Sequence, residues 1–91
     1  MLSQPSPIEL DLADDQKLIV EIENLLLEKL SIRVKSPETD LLDTGALDSM
    51  AMVHLLLHLE NHFGIDLPLG TLGIDPFRSV SRIAGLVKNL R

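Results

Sequence analysis

The sequence has no cysteine, no tryptophan and no tyrosine, and only two phenylalanines. Without cysteine there is no disulfide, no thiolate nucleophile and no Cys-ligated metal. Without aromatic rings in number there is no platform on which nucleobases stack. Basic residues are also scarce: eight Lys and Arg stand against 14 Asp and Glu, a net charge of −6 with His neutral. Phosphates need neutralising cations, so nucleic acid and anionic membrane are disfavoured and partners with basic surfaces are favoured. No apolar run reaches the ~20 residues of a membrane-spanning helix. The opening Met1–Pro7 has no basic stretch followed by an apolar one, so no secretory signal is expected and the expected location is cytoplasmic.

What is present is a chain of 91 residues, 45% of them apolar. That length points to one small domain with a modest core. Pro5, Pro7, Ser3 and Ser6 mark residues 1–13 as a flexible leader, leaving 14–91 as the folded domain. Leu18, Ile19, Ile22, Leu25, Leu26 and Leu30 recur at helical spacing and predict a first helix over 14–30. Residues 31–47, with Pro37 and Gly45, form a long loop that Leu41, Leu42 and Leu47 pin to the core. A second helix runs from Asp48 or Ser49 to Phe63 and stops at Gly64. Two glycines between 70 and 75 allow only a short, weak helix. A last helix spans Ser79–Leu90, with Ser79 as N-cap and Val80, Ile83, Ala84, Val87 and Leu90 as its buried stripe. No segment alternates with period two for long enough to make a sheet. The expected fold is all-α, with three substantial helices, one short one and a long first crossover loop.

The second helix carries more apolar surface than one buried face needs. At ~100° per residue, Met52, Leu55, Leu56, Leu59 and Phe63 share one arc. Met50, Val53 and Leu57 fall on another, at i, i+3, i+7. Either the long loop or the 69–77 segment covers this second stripe, or it is a docking surface, as contiguous exposed apolar area usually is. Asp48-Ser49 stands where that helix begins. Free N–H groups and the helix dipole favour negative charge there, so a phosphate esterified to a serine is well placed. Capping is the ordinary role of the same two residues.

The run Asp43-Thr44-Gly45-Ala46-Leu47-Asp48-Ser49-Met50 resembles the attachment motif of acyl carrier proteins. The resemblance continues through Leu55, Leu59-Glu60, Phe63-Gly64-Ile65 and Leu67-Pro68, and Ser79-Val80 resembles the opening of the family's last helix. It covers residues 14–90. It implies a four-helix acyl-carrier-like bundle with a short third helix. It also implies that a phosphopantetheinyl transferase moves 4'-phosphopantetheine from coenzyme A onto Ser49, with Asp48 helping the transferase to recognise the site. The arm then holds an acyl or aminoacyl group as a thioester. The implied partners are that transferase, an acyl- or aminoacyl-activating ligase, and a downstream acyl transferase or synthase. The chain itself, expected to be a monomer, supplies no catalytic set. Met50, Val53 and Leu57 match the family's exposed apolar docking positions, and His54 is expected to join them in partner docking.

One departure bears on the cargo. Fatty-acid carriers hold several acids along the second helix, where this chain has His54, His58, Asn61 and His62, with only Glu60 acidic. Docking onto basic patches is therefore expected to be weaker. The motif resembles discrete aminoacyl carriers, such as the D-alanyl carrier of cell-wall modification, or the stand-alone carriers of specialised peptide and polyketide pathways, more than the housekeeping fatty-acid carrier. His54, His58 and His62 lie at i, i+4, i+8 with no third ligand set by spacing, so no metal site is expected. A Ser-His-Asp reading of Ser49, His54 and Asp48 fails, since residues five apart do not share a helix face. Asp14, Asp15, Asp40 and Asp43 read as solvated charge. The competing class is a non-enzymatic helical adaptor that grips a partner through the Met50/Val53/Leu57 stripe and uses Ser49 only at a helix start.

Overall fold

The computed structural model describes residues 7–90, with side chains from Asp15 to Leu90. Four α-helices follow one another: α1 over Pro7–Leu30, α2 over Ser49–Phe63, α3 over Leu69–Leu72 and α4 over Val80–Leu90. A single 3-10 turn, Asp75–Phe77, separates α3 from α4. No strand occurs among the described residues. The all-α bundle with a long first loop and a short third helix is thus the observed architecture.

The first helix starts seven residues earlier than the periodicity predicts. Pro7 suits a first helical position, because its fixed φ is helical and its missing N–H has no intrahelical acceptor to lose. Ile8 to Ala13 contain no helix breaker after it. Of the expected leader, residues 1–6 lie outside the described residues. At its other end α1 closes on Ser31, at φ 58°, with Ile32 N–H donating to the Leu26 carbonyl at 2.9 Å. The end of α2 is where the sequence places it. Gly64 adopts φ 65°, which glycine takes without Cβ strain, and both Gly64 and Ile65 donate to the Glu60 carbonyl.

The core lies between α1, α2 and α4, with α1 packed on both of the others. Leu18, Ile22, Leu25 and Leu26 come from α1; Met52, Leu55 and Leu59 from α2; Val80, Ile83, Ala84 and Val87 from α4. Leu90 departs from expectation. It sits at the last turn of α4, past the reach of its neighbours, and is exposed. Phe77, which periodicity did not single out, is fully buried. The 3-10 turn makes this possible, its Phe77 N–H donating to the Ile74 carbonyl at 2.9 Å so that the ring swings inward. A buried side chain of this size contributes about 2–3 kcal/mol.

The 18 residues between α1 and α2 lack regular structure but not anchorage. Ile32, Leu41 and Leu47 are buried, and Leu42 is half-buried. Leu41 N–H donates to the Arg78 carbonyl at 2.6 Å and Leu47 N–H to the Leu41 carbonyl at 3.0 Å. Ser81 fastens the loop's first half, its N–H meeting the Pro37 carbonyl at 3.0 Å and its hydroxyl the Glu38 carboxylate at 2.5 Å. The loop therefore delivers Asp48 and Ser49 to a fixed place.

Candidate functional site

Asp48 is the N-cap of α2. Its backbone is extended, and its Oδ1 accepts the Ala51 N–H at 2.8 Å. One of the orphan donors of the first turn is thereby satisfied. Ser49 is the next residue, the first of the helix proper. It is exposed, and its hydroxyl makes no hydrogen bond among the described residues. The N–H groups of Ser49 and Met50 have no acceptor within the helix by virtue of position. The serine oxygen thus combines access, freedom from internal bonds and the positive end of a 15-residue helix. Ordinary capping belongs to Asp48 alone, so the structure divides between two residues what the sequence left open for both.

Beside Ser49 opens a cleft of about 480 Å³. Leu42 and Leu47 face it from the crossover loop, Met52 and Val53 from α2, Leu69 and Ile74 from the segment around α3. The serine stands at the rim of a largely apolar channel. An ester-linked phosphate would fit at the helix start, and the apolar residues of the cleft would flank the root of an attached arm. Sequence reading missed Leu69 and Ile74 as parts of the site. An isolated apolar residue in Gly73-Ile74-Asp75-Pro76 has no periodic neighbours to mark it.

The second apolar stripe of α2 is uncovered. Met50 is 67% exposed, Val53 49% and Leu57 52%, against 0% for Leu55 and Leu59. Ile74, half exposed, extends this apolar surface across the cleft from Val53. The 69–77 segment therefore borders the stripe and does not bury it. His54 is exposed on the same helix. His58 is half-buried, and His62 meets Glu21 of α1 at 3.1 Å with its ring edge-on to Phe63. No group of three metal-ligating side chains occurs among the described residues. Glu60, the lone acid of α2, points its carboxylate at the Leu67 N–H, 2.8 Å away, and so fixes the exit of the helix.

Asp40, expected to be plain solvated charge, is held on several sides. Asp40 Oδ1 accepts the N–H groups of Leu42 and Asp43 at 2.9 and 2.8 Å, and its Oδ2 lies 3.3 Å from Arg78. The Asp43 N–H, above all, holds the Asp40 carboxyl below the ordinary aspartate range; partial burial opposes this, and the Leu42 N–H and Arg78 reinforce it. Asp43 approaches the same guanidinium at 3.7 Å. An Asp side chain that accepts the N–H groups two and three residues on closes an Asx-type turn.

The family model described as the phosphopantetheine attachment site matches residues 20–87. Among curated proteins, the D-alanyl carrier protein of Streptococcus mutans serotype c is 37% identical over 70 residues, covering 77% of this chain and 85% of that protein. The D-alanyl carrier protein of Streptococcus sanguinis is 37% identical over 75 residues, 82% of this chain and 91% of its own length. That of Streptococcus uberis is 34% identical over 77 residues, covering 85% and 94%. No solved structure matches the chain significantly. Matched along most of its length by both the attachment-site model and whole carrier proteins, the chain belongs to the phosphopantetheine-binding carrier family, whose members bear a covalently attached 4'-phosphopantetheine.

Proposed function

We propose that this protein carries an aminoacyl unit, D-alanine first among the candidates, with Ser49 as the residue to which 4'-phosphopantetheine is esterified. The observation that carries the reading is the placement of Ser49: exposed, its hydroxyl without a hydrogen bond among the described residues, first in α2 behind the Asp48 cap, and at the rim of the apolar cleft. When attached, the group supplies a thiol on a flexible arm, on which an acyl or aminoacyl group is held as a thioester. This chain's own residues present the serine, shelter the root of the arm and dock the enzymes that use it. Met50, Val53 and Leu57, with His54 beside them, form the docking face. They are the exposed apolar residues nearest the attachment point in sequence, and apolar anchors dominate interface energetics.

The charge on α2 supports the aminoacyl cargo over a fatty-acid one. Its single acid is committed to the Leu67 N–H. A basic enzyme surface therefore finds little to steer toward along this helix. The partners proposed are a phosphopantetheinyl transferase, an amino-acid-activating ligase and a downstream acceptor transferase. The chain is proposed to be a carrier and not a catalyst.

Intact mass after incubation with a broad-specificity phosphopantetheinyl transferase and coenzyme A tests the site. One adduct is expected on the wild type and none on Ser49→Ala, which keeps its helical content because Asp48 still caps α2. An adduct mapped to another serine removes the assignment. The holo protein is then offered to a D-alanine-adenylating ligase and to a malonyl-loading enzyme. Malonylation without aminoacylation reverses the cargo assignment while leaving Ser49 in place.

A further inference from the structure

Arg78 follows the 3-10 turn and lies between the crossover loop and the segment that precedes α4. Its Nη1 is 3.3 Å from Asp40 Oδ2 and 3.7 Å from Asp43 Oδ1, and its Nε donates to Asp75 Oδ1 at 3.0 Å. Its carbonyl accepts the Leu41 N–H at 2.6 Å. The carboxylates come from two sides of the cleft beside Ser49. Asp40 and Asp43 flank Leu42, which lines the cleft from the loop; Asp75 follows Ile74, which lines it from the other wall. A guanidinium presents donors in a rigid planar fork and serves several carboxylates at fixed angles, which the point charge of lysine does not. Asp40 ties the fork to the backbone, since its other oxygen holds the Leu42 and Asp43 N–H groups.

We propose that Arg78 is a positioning residue for the modification of Ser49, setting the separation of the two cleft walls so that Asp48, Ser49 and the cleft are presented in the arrangement the transferase binds. The proposal rests on Ser49 being the attachment point. In that transfer the Ser49 Oγ–phosphorus bond forms and the pyrophosphate bond of coenzyme A breaks. Adenosine 3',5'-bisphosphate leaves, and the serine proton passes to a base of the transferase. Arg78 takes no part in those bonds. Its side chain is also not the loop's sole anchor. Leu41 and Leu47 are buried, and the Leu41 N–H bond goes to the Arg78 backbone carbonyl. Loss of the guanidinium therefore loosens the cleft and leaves the core in place.

The test uses the full apo chain, a broad-specificity phosphopantetheinyl transferase and coenzyme A, with Arg78→Gln and Arg78→Lys beside the wild type. In Arg78→Gln the KM for the carrier should rise about five- to tenfold while kcat stays within about twofold, the pattern of lost presentation with intact chemistry. Arg78→Lys should fall between. The methyl resonances of Leu42 and Ile74 should move in Arg78→Gln, and those of Leu26 and Val87, deep in the core, should not. A cooperatively folded Arg78→Gln with wild-type KM overturns the proposal. Should Arg78→Gln fail to fold, Asp75→Ala removes the acceptor of the Arg78 Nε–H and releases the Ile74 wall alone through an exposed residue, and an unchanged KM in that variant overturns it equally. Failure of the attachment reading shows separately, as a wild-type adduct that persists in Ser49→Ala.

Discussion

Replacing Leu57 by Glu tests whether the uncovered face of α2 is a working surface. Leu57 is 52% exposed, so about half of its apolar area is already in water. Full burial of leucine is worth about 1.5–3 kcal/mol. Half of that is at stake, and the aliphatic stem of glutamate retains part of the contact. Helix propensities of the two residues are close. The expected cost to folding is therefore ~1 kcal/mol or less, a fall in Tm of about 4–8 °C at most for a domain of this size. Leu55→Glu, two positions away at 0% exposure, is the internal comparison. It forces a carboxylate into the core at several kcal/mol, which is comparable to the whole stability of a small domain.

Binding should respond in the opposite order. If Leu57 anchors the transferase or the ligase, a charge at its place weakens the complex by ~2 kcal/mol, about 30-fold in Kd. Thermal melts of both variants and a titration of Leu57→Glu against each enzyme decide the matter. A melt for Leu57→Glu as low as that of Leu55→Glu means that the side chain is sequestered in solution. A near-normal melt with unchanged affinity for both enzymes means that the face is open and idle. Either result refutes the docking assignment.

Two further substitutions separate structure from recognition. Asp48→Ala removes the acceptor of the Ala51 N–H and should cost about 1 kcal/mol by thermal melt; Asp48→Asn keeps a capping oxygen and should melt near the wild type, yet both should be modified slowly if the transferase reads the charge, whereas recovery of the rate in Asn would assign the effect to cap geometry. For Asp40 the folded-state carboxyl lies below its ordinary 3.8. Its contribution to stability is therefore complete above that value and is lost as pH falls through the lower folded one. Wild type should be more stable than Asp40→Asn by the same margin at pH 5 and pH 7, the two converging only in stronger acid; a margin that shrinks between pH 7 and pH 5 would contradict the assignment.

What was legible in the sequence follows the range of the interactions involved. The ends of α2 were visible because their determinants are local: Asp48 reaches three residues ahead, and Gly64 supplies a left-handed φ at one position. The two stripes of α2 were visible because a helix writes its faces into spacing. Whether the second stripe meets water was not, since that depends on where the 69–77 segment lies, and a four-residue helix interrupted by glycines has no period to read. The start of α1 was misplaced because two prolines weighed as loop signals, whereas Pro7 is tolerated at a helix start. Leu90 was misassigned because a wheel shows direction but not where the neighbouring helices end. Phe77, Ile74 and Arg78 escaped notice for a shared reason. Each acts across the fold, on residues up to 38 positions away in the case of Asp40, and no short window contains both partners.

The acidic composition gains a different meaning once each carboxylate has a place. A net charge of −6 read from composition favours basic partners at large. In the structure much of that acid is hydrogen-bonded at the surface to the chain's own donors. Asp48 caps α2, Glu60 holds Leu67, Glu38 holds Ser81, Glu21 meets His62, and Asp15 meets Lys88. Asp40, Asp43 and Asp75 gather around Arg78. Only the cations offset charge: Lys88 balances Asp15 and Arg78 one of its three carboxylates, while Asp48, Glu60 and Glu38 keep their charge on neutral donors. Along the face that runs from Met50 through Val53 to Leu57 there is no free acid at all, only apolar side chains with His54 among them. Recognition on this face therefore depends on shape and apolar contact more than on charge. An enzyme that finds its carrier by long-range attraction to an acidic helix is poorly matched to it; one that seats apolar side chains beside the serine is well matched.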